Sequence, residues 1–201
     1  VDETGDFLPG DVLMALFALA TVEEGDRIVA PVNTSLAVDD ALAVRNATVL
    51  RTRVGDVHVA ERLRESGAAF GGEPSGAWIW PDESMCPDGP LAAVRLAGIV
   101  ASGEPLSTQA ASVAQYPIRR ESVEVAGKDA VMDRVRALVA ERYDEDGVNH
   151  LDGVRVDVDG GWFLVRASGT QPLVRLTAEA RDAERCETLL AEAREILERS
   201  V

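Results

Sequence analysis

The sequence predicts an α/β protein in two parts: an α/β domain with a mainly parallel sheet, then a small α+β domain whose antiparallel sheet is backed by two helices. Three observations carry this prediction. Between residues 27 and 72, short apolar, β-branched runs alternate with helix-length segments, as a parallel sheet covered by helices requires. Between 153 and 180, three strand-like runs are separated only by turn-sized segments such as Asp159-Gly160-Gly161, a hairpin pattern. Over 182–199, Cys186, Leu189, Leu190, Ala193, Ile196 and Leu197 recur three and four apart, which makes the apolar stripe of a closing helix.

Taken in order, Leu8-Pro9-Gly10-Asp11 is turn-like, and the apolar run 11–20 that follows it is a helix whose start Asp11 favours. Arg27 to Val32 reads as a buried strand. Asn33-Thr34-Ser35 then offers a cap for a helix over 36–44. A second strand is expected at 47–54, a helix at 57–66, and a third short strand at 68–70 ending on Gly71-Gly72. After Trp78-Ile79-Trp80 and a loop, a helix is expected from about Gly89 to Ala101, with Leu91, Val94, Leu96, Ile99 and Val100 as its apolar positions. The segment 102–116 has little periodicity, and the domain junction is placed there. The division is residues 1–10 as the tail of a preceding domain, 11–110 as the α/β domain and 111–201 as the α+β domain. In the last of these, strands are expected at 123–126, 153–158, 162–167 and 173–180, with helices at 129–142 and 182–199.

Composition excludes several classes. With 46% hydrophobic and 4% aromatic residues the chain is that of a folded, water-soluble domain, and no apolar run approaches the roughly 20 residues of a membrane span. Its 35 acidic residues against 20 basic ones give a net charge of -15, with no Lys/Arg-rich run, so nucleic acid and anionic membranes are not expected partners. Lys128 is the one lysine, and the acid-rich, lysine-poor surface is similar to that of salt-adapted proteins. Cys86 and Cys186 lie far apart and belong to no metal-type cluster. A cytoplasmic location is the default reading. His58 and His150 read as surface residues.

Three loops have the composition for binding chemistry. In Arg166-Ala167-Ser168-Gly169-Thr170-Gln171-Pro172, followed by Arg175, strand alternation puts Arg166 and Arg175 on one face, while Phe163, Val165, Val174 and Leu176 turn to the other. Two guanidinium forks, the Ser168 and Thr170 hydroxyls and the exposed backbone at Gly169 suit a dianionic phosphate. The same residues also suit ordinary hairpin-turn chemistry, and spacing does not separate the two. In Gly72-Glu73-Pro74-Ser75-Gly76, Glu73 and Ser75 at a strand end could bond vicinal sugar hydroxyls; taken alone, the segment reads first as a plain turn. At Gly55-Asp56, a backbone amide and a carboxylate could line a ligand or simply cap the next helix.

The order GGEPSG, PDGPLAA, RASGTQP and LVRLTAEA resembles the phosphohexomutases of the phosphoglucomutase/phosphomannomutase family, with their GE-x-SG sugar loop, DG helix start and R-x-SGTEP phosphate loop. The opening VDETGDFLPGD resembles the stretch that follows that family's metal-binding DGDxDR loop. The resemblance implies a four-domain enzyme moving phosphate between C1 and C6 of a hexose phosphate through a bisphosphorylated intermediate, with a phosphoserine in the first domain and Mg2+ in the second. It implies that Glu73, Ser75, Gly55 and Asp56 meet the sugar and that Arg166, Ser168, Gly169, Thr170 and Arg175 hold the non-reacting phosphate. It places the catalytic and metal-binding residues in N-terminal domains outside these 201 residues, which are then partners of this portion and leave it inactive alone. Ala77, Asn33 and Gln171 stand where family members often have histidine, lysine and glutamate. The alternatives are a stand-alone sugar-phosphate binding module and a non-catalytic interaction domain.

Overall fold

A computed structural model describes residues 1–101 and 103–201, which form two compact units, Val1–Gln115 and Tyr116–Val201. The first unit opens with α1 (Gly10–Thr21), nearly all apolar and largely buried. It continues through β1 (Arg27–Pro31), α2 (Leu36–Ala43), β2 (Thr48–Thr52), α3 (Asp56–Ser66), β3 (Phe70–Glu73), β4 (Ala77–Ile79), α4 (Gly89–Ala101) and α5 (Leu106–Ala111). The sheet order is β2-β1-β3-β4; β1 pairs in parallel with β2 and β3, and β4 adds as an antiparallel edge. Ser35 caps α2, its hydroxyl oxygen accepting the N–H of Ala37 at 3.0 Å.

Alternation along β3 and β4 decides what lies on each face. Val29, Val59, Leu63 and Ile79 pack together on the α3 side. On the α1 side, Phe17 meets Trp78 and Trp80 with ring centroids 4.9 and 5.2 Å apart, and Phe70 meets Trp80 at 5.0 Å. Few aromatics are available, and four of them are spent fixing the β3–β4 hairpin against α1.

The second unit contains β5 (Ile118–Glu124), α6 (Lys128–Arg142), a 3-10 turn, and then the strands β6 (Val148–Asn149), β7 (Val154–Val158), β8 (Gly161–Ala167) and β9 (Leu173–Ala180), before closing on α7 (Ala183–Glu198). Its sheet, ordered β5-β9-β8-β7-β6, is antiparallel throughout. One face, with Val156, Phe163, Val165, Val174, Leu176 and Ala178, packs on Val131, Val135 and Val139 of α6 and on the whole predicted stripe of α7. On the opposite face the fully buried Trp162 donates to Glu179 at 2.7 Å, and the Arg155 guanidinium lies 4.1 Å over its ring.

Four expectations change in detail. The third strand runs through Gly71 and Gly72 to Glu73 instead of stopping at the glycines. The first strand of the second unit starts at Ile118, before the expected 123, because an edge strand of alternating charge carries little apolar signal. Residues 106–111, in the segment of little periodicity for which no element is expected, form the short helix α5. Helix α4 is where expected, yet only Ala92 is buried, and Val94 and Val100 are 70% and 46% exposed.

Tyr143, at the end of α6, stacks edge-on with Phe163 and donates to Glu192 at 3.0 Å. Burial, with the Glu192 carboxylate beside it, pushes the phenol from its ordinary 10.0 up to about 12. The folded state thus holds this proton more tightly than the unfolded chain. Its contribution to stability is complete below pH 10 and is lost as pH rises toward 12. Denaturant melts of Tyr143→Phe are expected to show a shallower stability loss over that interval than the parent; parallel slopes would refute the linkage.

Candidate functional site

In the first unit the parallel strands β1, β2 and β3 end at one edge of the sheet. The order β2-β1-β3 reverses direction at β1, so the crevice beyond the carboxyl ends of β1 and β3 is the topological switch point where open α/β sheets bind ligands. The 74–76 turn after β3 lies there. Alternation directs Gly71 and Glu73 toward α3. At Gly71 a Cβ would fall 2.9 Å from Val59 and 3.0 Å from the Val29 carbonyl oxygen, so glycine is what lets α3 lie close.

Glu73 then reaches the start of α3. Its Oε1 accepts the N–H of Gly55 at 2.7 Å, and its Oε2 is 3.5 Å from the Ser75 hydroxyl. Gly55 sits at φ +131°, a conformation that other residues rarely adopt. The structure therefore brings Gly55, Glu73 and Ser75 together. Asp56 is not joined to them: its carboxylate accepts the N–H of Val57 at 2.9 Å in the first turn of α3. His58 faces Arg53 and Glu61 on the surface of α3.

The first turn of α1 holds both loops that flank the switch point. Asp11 Oδ1 accepts the N–H of Ser35 at 2.9 Å. Gly10 lies against the 74–76 turn so closely that a Cβ there would fall 1.7 Å from the Pro74 carbonyl oxygen. After β1, the buried Asn33 Oδ1 and Thr34 Oγ1 have no hydrogen-bond partner among the described residues.

In the second unit β8 and β9 place Arg166 directly opposite Arg175. Like charges in that register repel, so the pair is costly unless an anion or a neighbouring acid offsets it. Asp152 approaches Arg166 at 3.3 Å and offsets part of the charge. Arg175 is exposed, with the Gln171 side-chain oxygen 3.5 Å away. A cavity of about 220 Å³ opens beside Arg166, lined also by Arg136 and by the acids Asp129, Asp133 and Asp152.

The loop joining these strands is shaped from within. Ser168 is 4% exposed; its N–H donates to the Leu173 carbonyl at 2.9 Å, and its Oγ accepts the Gln171 N–H at 3.3 Å. Gly169 and Thr170 are exposed at the tip, and no acceptor for either N–H occurs among the described residues. Lys128, first residue of α6, donates to the Ser168 carbonyl at 2.5 Å and lies 3.4 Å from that of Gln171.

Sequence reasoning missed Gly10, Lys128 and Asp152. The contacts they make lie far away in the chain, and the one available signal was that Lys128 is the single lysine among 20 basic residues. Among the described residues, no group of three or more His, Cys, Asp or Glu side chains could hold a metal ion, and no helix is long and apolar enough to cross a membrane.

The chain is 43% identical over its whole length to a probable phosphoglucosamine mutase of Methanopyrus kandleri, and 44% identical over 98% of its length to one of Methanothermobacter thermautotrophicus. It spans 45% and 44% of those relatives, under half of each. Among solved structures, a phosphoglucomutase/phosphomannomutase family protein of Burkholderia thailandensis superposes with a TM-score of 0.82 over 98% of this chain and 43% of that one, at 24% identity. Aspergillus fumigatus N-acetylphosphoglucosamine mutase, solved with GlcNAc-6P and magnesium, gives a TM-score of 0.68 over 96% and 44%, at 15% identity. The profile for phosphoglucomutase/phosphomannomutase alpha/beta/alpha domain III matches residues 9–116, and that for the C-terminal domain matches 122–196. The two profiles together cover most of the chain, which therefore belongs to the phosphoglucomutase/phosphomannomutase family as its C-terminal portion.

Proposed function

We propose that this chain is the substrate-holding part of a longer phosphohexomutase that moves phosphate between C1 and C6 of a hexose phosphate through a bisphosphorylated intermediate. Glucosamine phosphate replaces the glucose or mannose phosphate of the family's general name, because the curated relatives compared above carry the name phosphoglucosamine mutase. The observation that carries the reading is the Arg166–Arg175 register pair beside two tip amides without acceptors. Guanidinium forks and backbone N–H groups are the donors that a phosphate dianion accepts from.

In this reading Arg166, Arg175, Gly169 and Thr170 hold the non-reacting phosphate, and Ser168 shapes their loop. Glu73 and Ser75 bond sugar hydroxyls, Gly55 fixes the Glu73 carboxylate, and Asp56 stands at the rim. Holding the distal phosphate turns transfer at the other end into a positioned, effectively unimolecular event. The phosphoserine and the magnesium ion that the resemblance implies would be supplied by domains outside this chain, which spans under half of each curated relative.

Nitrogen-15 NMR titration tests this. Inorganic phosphate is expected to shift the amides of Gly169 and Thr170, and glucosamine those of Gly55 and Ser75. Glu73→Gln should remove the sugar-dependent shifts and leave the phosphate-dependent ones. If phosphate moves neither tip amide, the reading fails.

A further inference from the structure

We infer that Lys128 is a positioning residue for the 168–172 loop: its ammonium turns the loop's carbonyls away from the ligand side and leaves the Gly169 and Thr170 amides facing an anion. The inference rests on the phosphate site proposed above, and it concerns a residue 40 positions away from that loop in sequence.

The bonds define the role. Lys128 Nζ donates to the carbonyl of Ser168 at 2.5 Å and sits 3.4 Å from that of Gln171, the first and fourth residues of the turn. Two further bonds brace the same segment: Val125 N–H donates to the Pro172 carbonyl at 3.1 Å, and Gln171 N–H to Ser168 Oγ at 3.3 Å. These bonds engage the carbonyls at 168 and 171 with Lys128 and that at 172 with Val125, while the tip N–H groups at 169 and 170 keep no acceptor among the described residues. A carbonyl dipole turned toward a phosphate would repel it, so fixing these carbonyls removes a repulsion that the anion would otherwise meet.

Placement also argues for a specific task. Lys128 is the first residue of α6, where the helix macrodipole disfavours a cation and favours an acid such as Asp129. This chain uses arginine for every other basic side chain, yet keeps an ammonium at that one point. A compact group with three donors can serve two converging carbonyls, whereas a planar guanidinium fork spreads its donors in one plane. A local rule broken with a compensating contact marks a position set by the site.

The test uses the whole chain with inorganic phosphate and glucosamine 6-phosphate as probes, read by calorimetry and by the amide signals of Gly169 and Thr170. Lys128→Met is expected to weaken both ligands about tenfold and to shift those two signals already in the ligand-free protein. Lys128→Arg, which keeps the charge and alters the geometry, should recover only part of the affinity. Unchanged affinity in Lys128→Met with the parent binding normally overturns the role of Lys128 alone. Full recovery in Lys128→Arg also overturns it, because charge would then suffice. A parent protein that binds neither probe overturns the phosphate site itself.

Discussion

Replacing Arg166 with alanine is expected to weaken binding of inorganic phosphate and of hexose phosphates by about 100-fold. The estimate takes roughly 1.5–3 kcal/mol for a hydrogen bond to a charged group, at the upper end. The upper end applies because the substitution also removes the guanidinium that Asp152 approaches at 3.3 Å, so an acid beside the loop loses its offset. Arg175→Ala should cost nearer to tenfold, since Arg175 is exposed and its one described side-chain contact is a 3.5 Å approach to Gln171. Arg166→Lys should fail to restore affinity, because a point charge cannot present a two-pronged fork. Calorimetry with matched thermal melts checks all three. An Arg166→Ala protein that melts like the parent and binds phosphate equally well would remove the site from consideration.

Gly10→Ala is expected to be the most damaging single methyl that can be added to the first unit. Its Cβ would lie 1.7 Å from the Pro74 carbonyl oxygen and 2.7 Å from that residue's carbonyl carbon. Both are backbone atoms of a turn held by the Glu73 carbonyl bond to Gly76 N–H, so no side chain can swing aside. The overpacking should cost at least about 3 kcal/mol, the top of the usual range. That corresponds to a drop of about 10 °C or more in the melting of a unit this size. If α1 moves instead of the unit unfolding, the 74–76 turn moves with it, and the amide signals of Ser75 and Gly76 should shift strongly. A variant with parent-like melting and unshifted signals there would show that the close approach is absent.

The elements that could be read from sequence are those whose local pattern and tertiary burial agree. Helix α7 is the clearest: all six residues of its predicted stripe are buried. Strand β9 matches its predicted bounds for the same reason. Pattern fails where the elements are short or charged. Helix α5 has 6 residues and β6 has 2, too few for a period to register. The apolar composition of α4 gave its position correctly but not its burial, because composition does not say whether another surface covers a face.

The candidate site divides along the same line. Arg166 and Arg175 share a face because alternation along two adjoining strands demands it, and that was legible. The Glu73–Gly55 bond spans 18 residues and depends on where α3 begins, while the Lys128–Ser168 bond spans 40. Such contacts follow from packing and leave no periodic trace. Asp56 lies next to Gly55 in sequence, yet its carboxylate bonds within its own helix turn.

The register of β8 and β9 has a further consequence for folding fidelity. A slip of one residue between these strands would turn Arg175 inward, among Phe163, Val165 and the apolar face of α7, and push Val174 and Leu176 outward. An unpaired guanidinium in that interior costs several kcal/mol, far more than a misaligned ladder could recover. The two arginines thus act as a built-in proofreader of strand alignment: any chain that completes this core has, by the same pairing, presented both of them together on the outer face.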